Sequence, residues 1–156
     1  MDQFSASLHN GLLVFGKYPT DAEVNLLKES GYSIFVDLCP SEEITWTPYD
    51  RDNITYIDHP IYDRGAPRKD ALPLILSLGA KIRQGERVYI HCRGGHGRSA
   101  TLAAAILIHL TSCTGEEALS RVKEAHAARK EMKPRFRRIG APQTRIQKEY
   151  VKNLSC

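Results

Sequence analysis

The segment HCRGGHGRSA, residues 91–100, contains at close spacing the residue types that phosphate chemistry needs. A cysteine stands near its start, three glycines follow, and an arginine and a serine come near its end. Glycines allow successive backbone N–H groups to point toward one small anion. Arginine offers a planar fork that can bind two oxygens of a phosphate. A cysteine beside such donors is favoured as its thiolate, which is a nucleophile.

The segment therefore predicts an anion-binding loop with Cys92 facing the bound group. We expect Cys92 to be a thiolate near neutral pH and Arg98 to grip the phosphate. The residues predicted to surround the phosphate are Arg93, Gly94, Gly95, His96, Gly97 and Arg98.

The neighbouring sequence places this loop between a strand and a helix. RVYIH, residues 87–91, is predicted as a buried strand, and Ser99–Leu110 is apolar on all sides, which is typical of a helix inside the core. A helix N-terminus at this point favours an anion, because its free N–H groups and its dipole both attract negative charge.

The rest of the chain alternates strand-like and helix-like segments, which predicts a single α/β domain over residues 1–156. We expect a central, mostly parallel sheet flanked by helices. Strands are predicted at 12–16, 32–38 and 53–59, and helices at 20–30, 70–84, 115–130 and 142–154. In the helix at 70–84, Asp70 is a candidate cap, and Leu72, Ile75, Leu76, Gly79 and Ile82 are predicted to share one face.

Composition sets limits on the compartment and the partners. The net charge of +4 equals the excess of eight Lys or Arg over four Glu in residues 114–138. That excess fits either a solvated helical face or a basic rim around an anionic ligand. The N-terminal segment does not resemble a signal peptide, and TLAAAILIHL is too short to span a bilayer. With four cysteines and no such signal, we expect thiols in a reducing compartment, the cytoplasm or the nucleus.

The order His-Cys, five residues, Arg and Ser resembles the signature of cysteine-dependent protein tyrosine phosphatases. YDRGAP, residues 62–67, resembles the movable acid loop of that family, with Tyr62 where the family has proline. The resemblance implies that Asp63 protonates the leaving oxygen. Asp58 and Asp70 remain the alternatives for that acid.

A third stretch, RFRRIGAPQTRIQKEY, residues 135–150, is similar to the family segment that positions the hydrolytic water. The resemblance implies that Gln143 orients this water and that Gln147 supports it. It also implies that an arginine pair, Arg135 and Arg138, braces the phosphate loop.

The short chain resembles the compact dual-specificity group, and its Gly-Gly pair is similar to that of the cyclin-dependent-kinase-associated phosphatases. This resemblance implies a phosphocysteine intermediate, no cofactor or metal, and phosphoprotein substrates carrying phosphotyrosine and also phosphoserine or phosphothreonine. It further implies that Ser99 hydrogen-bonds the Cys92 sulfur and that His91 orders the loop.

Three other functions remain open at this point. Arg93 and His96 occupy positions where 3-phosphoinositide phosphatases carry two lysines, and His96 would be charged below about pH 6.5. Hydrolysis of RNA 5′-phosphates is kept open by the basic excess. A non-catalytic phosphate-binding module is the third alternative. No stable nucleic-acid binding is expected, and the sequence leaves the oligomeric state open.

Overall fold

A computed structural model describes residues 1–154 and shows a five-stranded sheet at the centre. The strands are β1 (Ser5–Leu8), β2 (Leu13–Gly16), β3 (Tyr32–Asp37), β4 (Thr55–Asp58) and β5 (Arg87–His91), and their order across the sheet is β1-β2-β5-β3-β4. Strand β1 pairs antiparallel with β2, whereas the other pairings are parallel. The predicted mostly parallel sheet is thus confirmed, and β1 is a strand that the sequence did not predict.

Helices cover both faces of the sheet. They are α1 (Asp21–Glu29), α2 (Ala71–Arg83), α3 (Arg98–Thr111), α4 (Gly115–Ala127), α5 (Pro134–Ile139) and α6 (Arg145–Lys152). Helix α1 packs with Val14, Phe35 and Tyr89 on one face. Helices α2, α3, α4 and α6 pack against the other face, where the strand residues alternate with those three. Within residues 1–154, none of the helices is long and apolar enough to cross a membrane.

Helix α3 is the centre of the larger core. Its residues from Arg98 to Ile108 are all buried, and it contacts α2, α4 and α6 as well as β2 and β5. This confirms the predicted buried helix after the glycine-rich loop. Because both β5 and α3 are enclosed, the loop between them is anchored at its two ends by the core.

Helix α2 buries part of the predicted face, since Ile75, Gly79 and Ile82 are buried as expected. Its buried residues are Ala71, Ile75, Leu78, Gly79 and Ile82, whereas Leu72 and Leu76 are 55% and 46% exposed. The spacing of the buried set is that of one helical stripe beginning at Ala71, one residue earlier than expected. Asp70 occupies the N-cap position, but its side chain makes no capping hydrogen bond.

The C-terminal part also differs from the prediction in its boundaries. Helix α4 ends at Ala127 instead of residue 130, and α6 begins at Arg145 instead of Pro142. The short helix α5 between them was not predicted. Its sequence, PRFRRI, has no buried residue, so it lacks the apolar stripe from which a helix is predicted.

Candidate active site

The phosphate-binding loop lies at the carboxyl end of β5, the central strand of the sheet. Cys92 follows β5 directly and is 3% exposed. Its Sγ accepts a hydrogen bond from the backbone N–H of Gly95 at 3.3 Å and lies 3.4 Å from the Ser99 hydroxyl. The sulfur thus lies among loop donors, close to the side chain predicted to contact it.

Gly95 is the position where the loop needs glycine most. Its φ is +77°, a conformation that residues with a side chain rarely adopt. A Cβ there would also collide with the backbone at Gly16 and Lys17. The loop is therefore packed directly on the end of β2, and Tyr18 N–H donates to the Arg93 carbonyl at 3.0 Å across the same junction.

Arg98 begins α3 and is held by a residue that the sequence did not single out. Its Nη1 and Nη2 donate to the two oxygens of Glu43 at 2.8 and 2.7 Å, and Nη1 also donates to the Ile61 carbonyl at 2.8 Å. Burial alone would lower the pKa of Arg98. The hydrogen bond to Glu43 and the nearby charges of Cys92 and Glu43 raise that pKa instead.

These bonds leave a defined edge of the guanidinium for a ligand. Arginine has five N–H donors, and within residues 1–154 three of those of Arg98 are directed to Glu43 and Ile61. The Nε–H and one Nη2–H remain, on one side of the fork. That edge is the geometry that binds two phosphate oxygens at once.

Asp63 lies beside the same edge. Its Oδ1 is 3.5 Å from Arg98 Nη2, and its side chain is 66% exposed. Oδ1 also accepts the Arg64 backbone N–H at 3.0 Å. Of the three carboxylates considered for the acid, Asp63 lines the cleft with Cys92, whereas Asp58 and Asp70 line a different cavity.

His91 lies behind the loop and is fully buried. Its Nδ1 is 3.4 Å from the Cys92 carbonyl, and its Nε2 is 2.7 Å from the Tyr49 hydroxyl. Burial lowers the pKa of His91 to about 4, although Asp37 lies 3.8 Å away and opposes that shift. Because a carbonyl only accepts, the neutral ring donates from Nδ1 and accepts the Tyr49 proton at Nε2. His91 is therefore placed to order the loop.

The surroundings of His96 keep its imidazole neutral, so His96 does not supply a second positive charge beside Arg93. Its ring stacks on Phe136 at 4.2 Å between centroids, and its Nδ1 is 2.8 Å from Nε2 of the buried His126. Burial, together with Arg129 and His126, lowers the pKa of His96 to about 3. The expectation that His96 is charged below about pH 6.5 is therefore wrong. The Arg93 guanidinium lies over Trp46, 5.3 Å from the ring centroid.

Arg129 braces the loop, and the sequence analysis did not identify it. Its Nη1 donates to the carbonyls of Gly94 and Gly95 at 3.1 and 3.4 Å, and the residue is 6% exposed. Arg138, predicted for this task, is exposed, and Arg135 lies over Phe136 at the mouth of the cleft. The bracing arginine lies two residues after the end of α4, and Arg137 of α5 donates to its backbone carbonyl at 2.9 Å.

Gln143 and Gln147 lie close to the phosphate-binding loop at Gly97. A Cβ on Gly97 would lie 2.7 Å from Gln143 Oε1 and 2.9 Å from Gln147 Nε2. Gln143 lines the cleft. Gln147 is fully buried, and its Oε1 accepts the backbone N–H groups of Gln143 and Thr144 at 3.0 and 3.1 Å.

These residues line a cleft of about 680 Å³. The charged residues of its lining are mostly basic, with Asp63 and Glu131 as the acidic members; the cations are Lys17, Arg64, Arg93, Arg98, Arg129, Lys133 and Arg135. The thiol of Cys92 lies in this lining. The cleft can thus bind a phosphate group, with its phosphorus facing the Cys92 sulfur and its oxygens contacting Arg98 and the loop N–H groups.

Residues 2–151 match the family described as Swiss Army Knife protein, DSP-PTPase phosphatase domain. The chain belongs to this family of phosphatase domains. The match covers nearly the whole chain and confirms the recognition of the cysteine-dependent tyrosine phosphatase superfamily and its compact dual-specificity group.

Individual relatives agree with the family. The protein of Invertebrate iridescent virus 6 named "Putative tyrosine phosphatase 197R" is 34% identical over 126 residues, which are 77% of this chain and 47% of the viral protein. The chain spans about half the length of the curated relatives it matches. Its fold matches Tk-PTP in the active form, with a TM-score of 0.77 and 27% identity over 96% of this chain and 95% of that one.

The kinase associated phosphatase has the same fold, with a TM-score of 0.76 and 23% identity over 95% of this chain and 90% of that one. Together with the mixed, mostly parallel sheet, these matches confirm the predicted single-domain α/β fold. The domain is of the cysteine-dependent phosphatase class.

Proposed function

We propose that this domain hydrolyses phosphomonoesters on proteins, phosphotyrosine and also phosphoserine or phosphothreonine, through a phosphocysteine on Cys92. One observation carries the proposal. The Cys92 sulfur accepts the Gly95 backbone N–H, Arg98 Nη2 lies 3.5 Å from Asp63 Oδ1, and these three side chains line one cleft, which supports their roles as nucleophile, phosphate-binding group and acid.

In the first step, the Cys92 thiolate attacks phosphorus and the bond between phosphorus and the ester oxygen breaks. The loop N–H groups and Arg98 stabilise the charge that develops on the phosphoryl oxygens. Asp63 gives its proton to the departing oxygen, which leaves as the alcohol or phenol. The exposed position of Asp63 fits this role, because the acid must reach an ester oxygen on the solvent side of the phosphate.

In the second step, a water attacks phosphorus and the bond between sulfur and phosphorus breaks. Asp63, now a carboxylate, takes the proton of that water. We assign Gln143 to orient the water, because an amide can accept from the water and donate to phosphate without bringing charge. The Ser99 hydroxyl, 3.4 Å from Sγ, donates to the departing thiolate.

Phosphoprotein is the favoured substrate class because the groups that would support a phosphoinositide are differently engaged. That alternative needs Arg93 and His96 to face a second phosphate together. His96 instead packs on Phe136 and bonds His126, while Arg93 lies over Trp46. Since the chemistry requires a reduced Cys92, we also propose a reducing cellular compartment for the protein, the cytoplasm or nucleus.

A parallel assay tests the proposal. Purified protein is given phosphotyrosine, phosphoserine and phosphothreonine peptides, a phosphoinositide and 5′-triphosphate RNA, with Cys92→Ser as the control. We expect turnover of the phosphopeptides that the control abolishes, while the control still binds them through Arg98 and the loop amides. Preferred turnover of the lipid or the RNA would contradict the substrate class, and activity of Cys92→Ser would contradict the nucleophile.

A further inference from the structure

Within residues 1–154, three helices begin with a capping box, and in one of them glutamine stands where the other two have glutamate. Thr20 and Thr114 pair with Glu23 and Glu117 three positions later, and each box satisfies the backbone N–H groups at its helix start. At α6 the threonine is Thr144, and its partner is Gln147. A glutamine caps through one oxygen only, so its NH₂ group is available for another acceptor.

That NH₂ group reaches the acid loop. Gln147 Nε2 donates to the Gly65 carbonyl at 3.0 Å, and Thr144 Oγ1 donates to the Arg64 carbonyl at 3.0 Å. The two acceptors are consecutive carbonyls directly after Asp63. Gln147 is fully buried, so its bonds are made away from competing water.

The acid loop has a backbone conformation at Arg64 that requires stabilising contacts. Arg64 has a φ of +68°, which is uncommon for a residue with a side chain. Such a conformation persists when surrounding contacts fix it. The Arg64 N–H also bonds the carboxylate of Asp63 at 3.0 Å, so the backbone at Arg64 influences where that carboxylate points.

The Gln147 side chain makes both the capping bond at the start of α6 and the hydrogen bond to the acid loop. Gln147 Oε1 fixes the backbone of Gln143, and Gln147 Nε2 fixes the backbone after Asp63. Glutamate at 147 would keep the capping box, as it does at the other two helices. It would lose the donor to Gly65 and place a carboxylate against that carbonyl.

We propose that Gln147 and Thr144 are positioning residues that tie the acid loop to α6 and so hold Asp63 over the cleft. This inference rests on the proposed function, in which Asp63 is the acid and Gln143 orients water. Gln147 thereby positions both Asp63, the acid of the first step, and Gln143, which orients the water of the second step.

The test replaces Gln147 by Glu, with Glu117→Gln as the matched control at the capping box of α4, where Glu117 bonds Thr114. Turnover is measured on a phosphoserine peptide, whose alkoxide needs a proton, and on an aryl phosphate with a good leaving group. Amide hydrogen exchange of residues 62–66 is followed in parallel, because it reports on the tie without requiring catalysis. Gln147→Met, which lacks both the donor and the capping oxygen but carries no charge, shows whether the loss depends on electrostatic repulsion.

For both Gln147 variants we expect faster exchange at 62–66 and a loss of about tenfold on the phosphopeptide, part of the 10²–10⁴-fold that a general acid supplies. The aryl phosphate should lose much less, and the alkaline limb of the pH profile should flatten. Glu117→Gln should match the wild type. Equal losses on both esters with unchanged exchange would overturn the proposal. A wild type that hydrolyses no ester would refute the proposed function instead, and exchange alone would then decide the tie.

Discussion

Glu43 and Arg98 form a two-point ion pair, with both carboxylate oxygens within 2.8 Å of the two terminal nitrogens of the guanidinium. Arg98 is 2% exposed, and the Glu43 side chain is 19% exposed. Together with the bond to the Ile61 carbonyl, the pair fixes the orientation of the guanidinium, and Arg98 lines the cleft. Arg98 therefore enters the site with its orientation already set before a phosphate binds.

Replacing Glu43 by Gln should weaken phosphate binding more than it weakens folding. One oxygen of the pair becomes an NH₂ group facing a cation, so Arg98 loses its fixed orientation. Charge-assisted hydrogen bonds contribute about 1.5–3 kcal/mol, which corresponds to a loss of roughly 10- to 100-fold in kcat/KM. Inhibition by inorganic phosphate should weaken in parallel. Glu42→Gln, one residue away and exposed, is the control, and equal effects of the two changes would refute this role.

Asp63→Asn should lower turnover of phosphoserine peptides by about 10²–10⁴-fold, which is what a general acid contributes. An aryl phosphate with a good leaving group should lose less, because it departs without a proton. The alkaline limb of the pH–rate profile should flatten. Asp58→Asn and Asp70→Asn serve as comparisons, and the same signature in either of them would move the acid to that residue.

Arg129→Met should impair the loop, whereas Arg138→Met should not. Arg129 is buried and donates to two loop carbonyls, and their loss removes the brace that keeps Gly94 and Gly95 in place. We expect kcat/KM to fall by about tenfold or more, given about 1.5–3 kcal/mol for hydrogen bonds from a charged donor. Steady-state kinetics and thermal unfolding of both variants measure the effect. A larger loss in Arg138→Met would restore the original expectation.

Acid should destabilise the fold through its buried histidines. Burial lowers the pKa of His91 to about 4, of His96 to about 3 and of His126 to about 4. In the unfolded chain a histidine takes a proton near pH 6.5. The stability from keeping them neutral is therefore complete above about pH 6.5 and decreases as the pH falls toward 4.

Between pH 6.5 and 5 this loss should be at most about 2 kcal/mol per histidine. Urea unfolding at several pH values measures it. His126→Gln should give a shallower dependence, because it removes one of these three buried histidines. A free energy of unfolding that stays constant over this range would contradict the claim that these histidines are neutral in the folded protein.

The loop and its two flanking elements could be predicted from the sequence because their signals are local. A buried strand, three glycines and an all-apolar helix follow one another in residues 87–110, and their pattern fixes both secondary structure and chemistry. Asp63 and Gln143 could be proposed through resemblance, and the fold then places both in the cleft with Cys92.

Glu43 and Arg129 could not be predicted, because their roles depend on long-range contacts. Glu43 lies in a short exposed turn, Ser41–Glu43, with no periodicity to mark it. It reaches Arg98 only because β3 and β5 are neighbours in the sheet. Arg129 is one of several basic residues in 114–138, and nothing in that run distinguishes the buried arginine from the solvated ones.

The central claim, a phosphocysteine on Cys92, is tested most directly by mass spectrometry of a quenched single turnover. Gln143→Ala is mixed with a phosphotyrosine peptide, since slower water attack should let the intermediate accumulate, and the reaction is stopped in denaturant. The account predicts one added phosphoryl group on the tryptic peptide of residues 88–93, and its absence in Cys92→Ser. Release of phosphate without any phosphoryl enzyme, or a phosphoryl group on another residue, would contradict it.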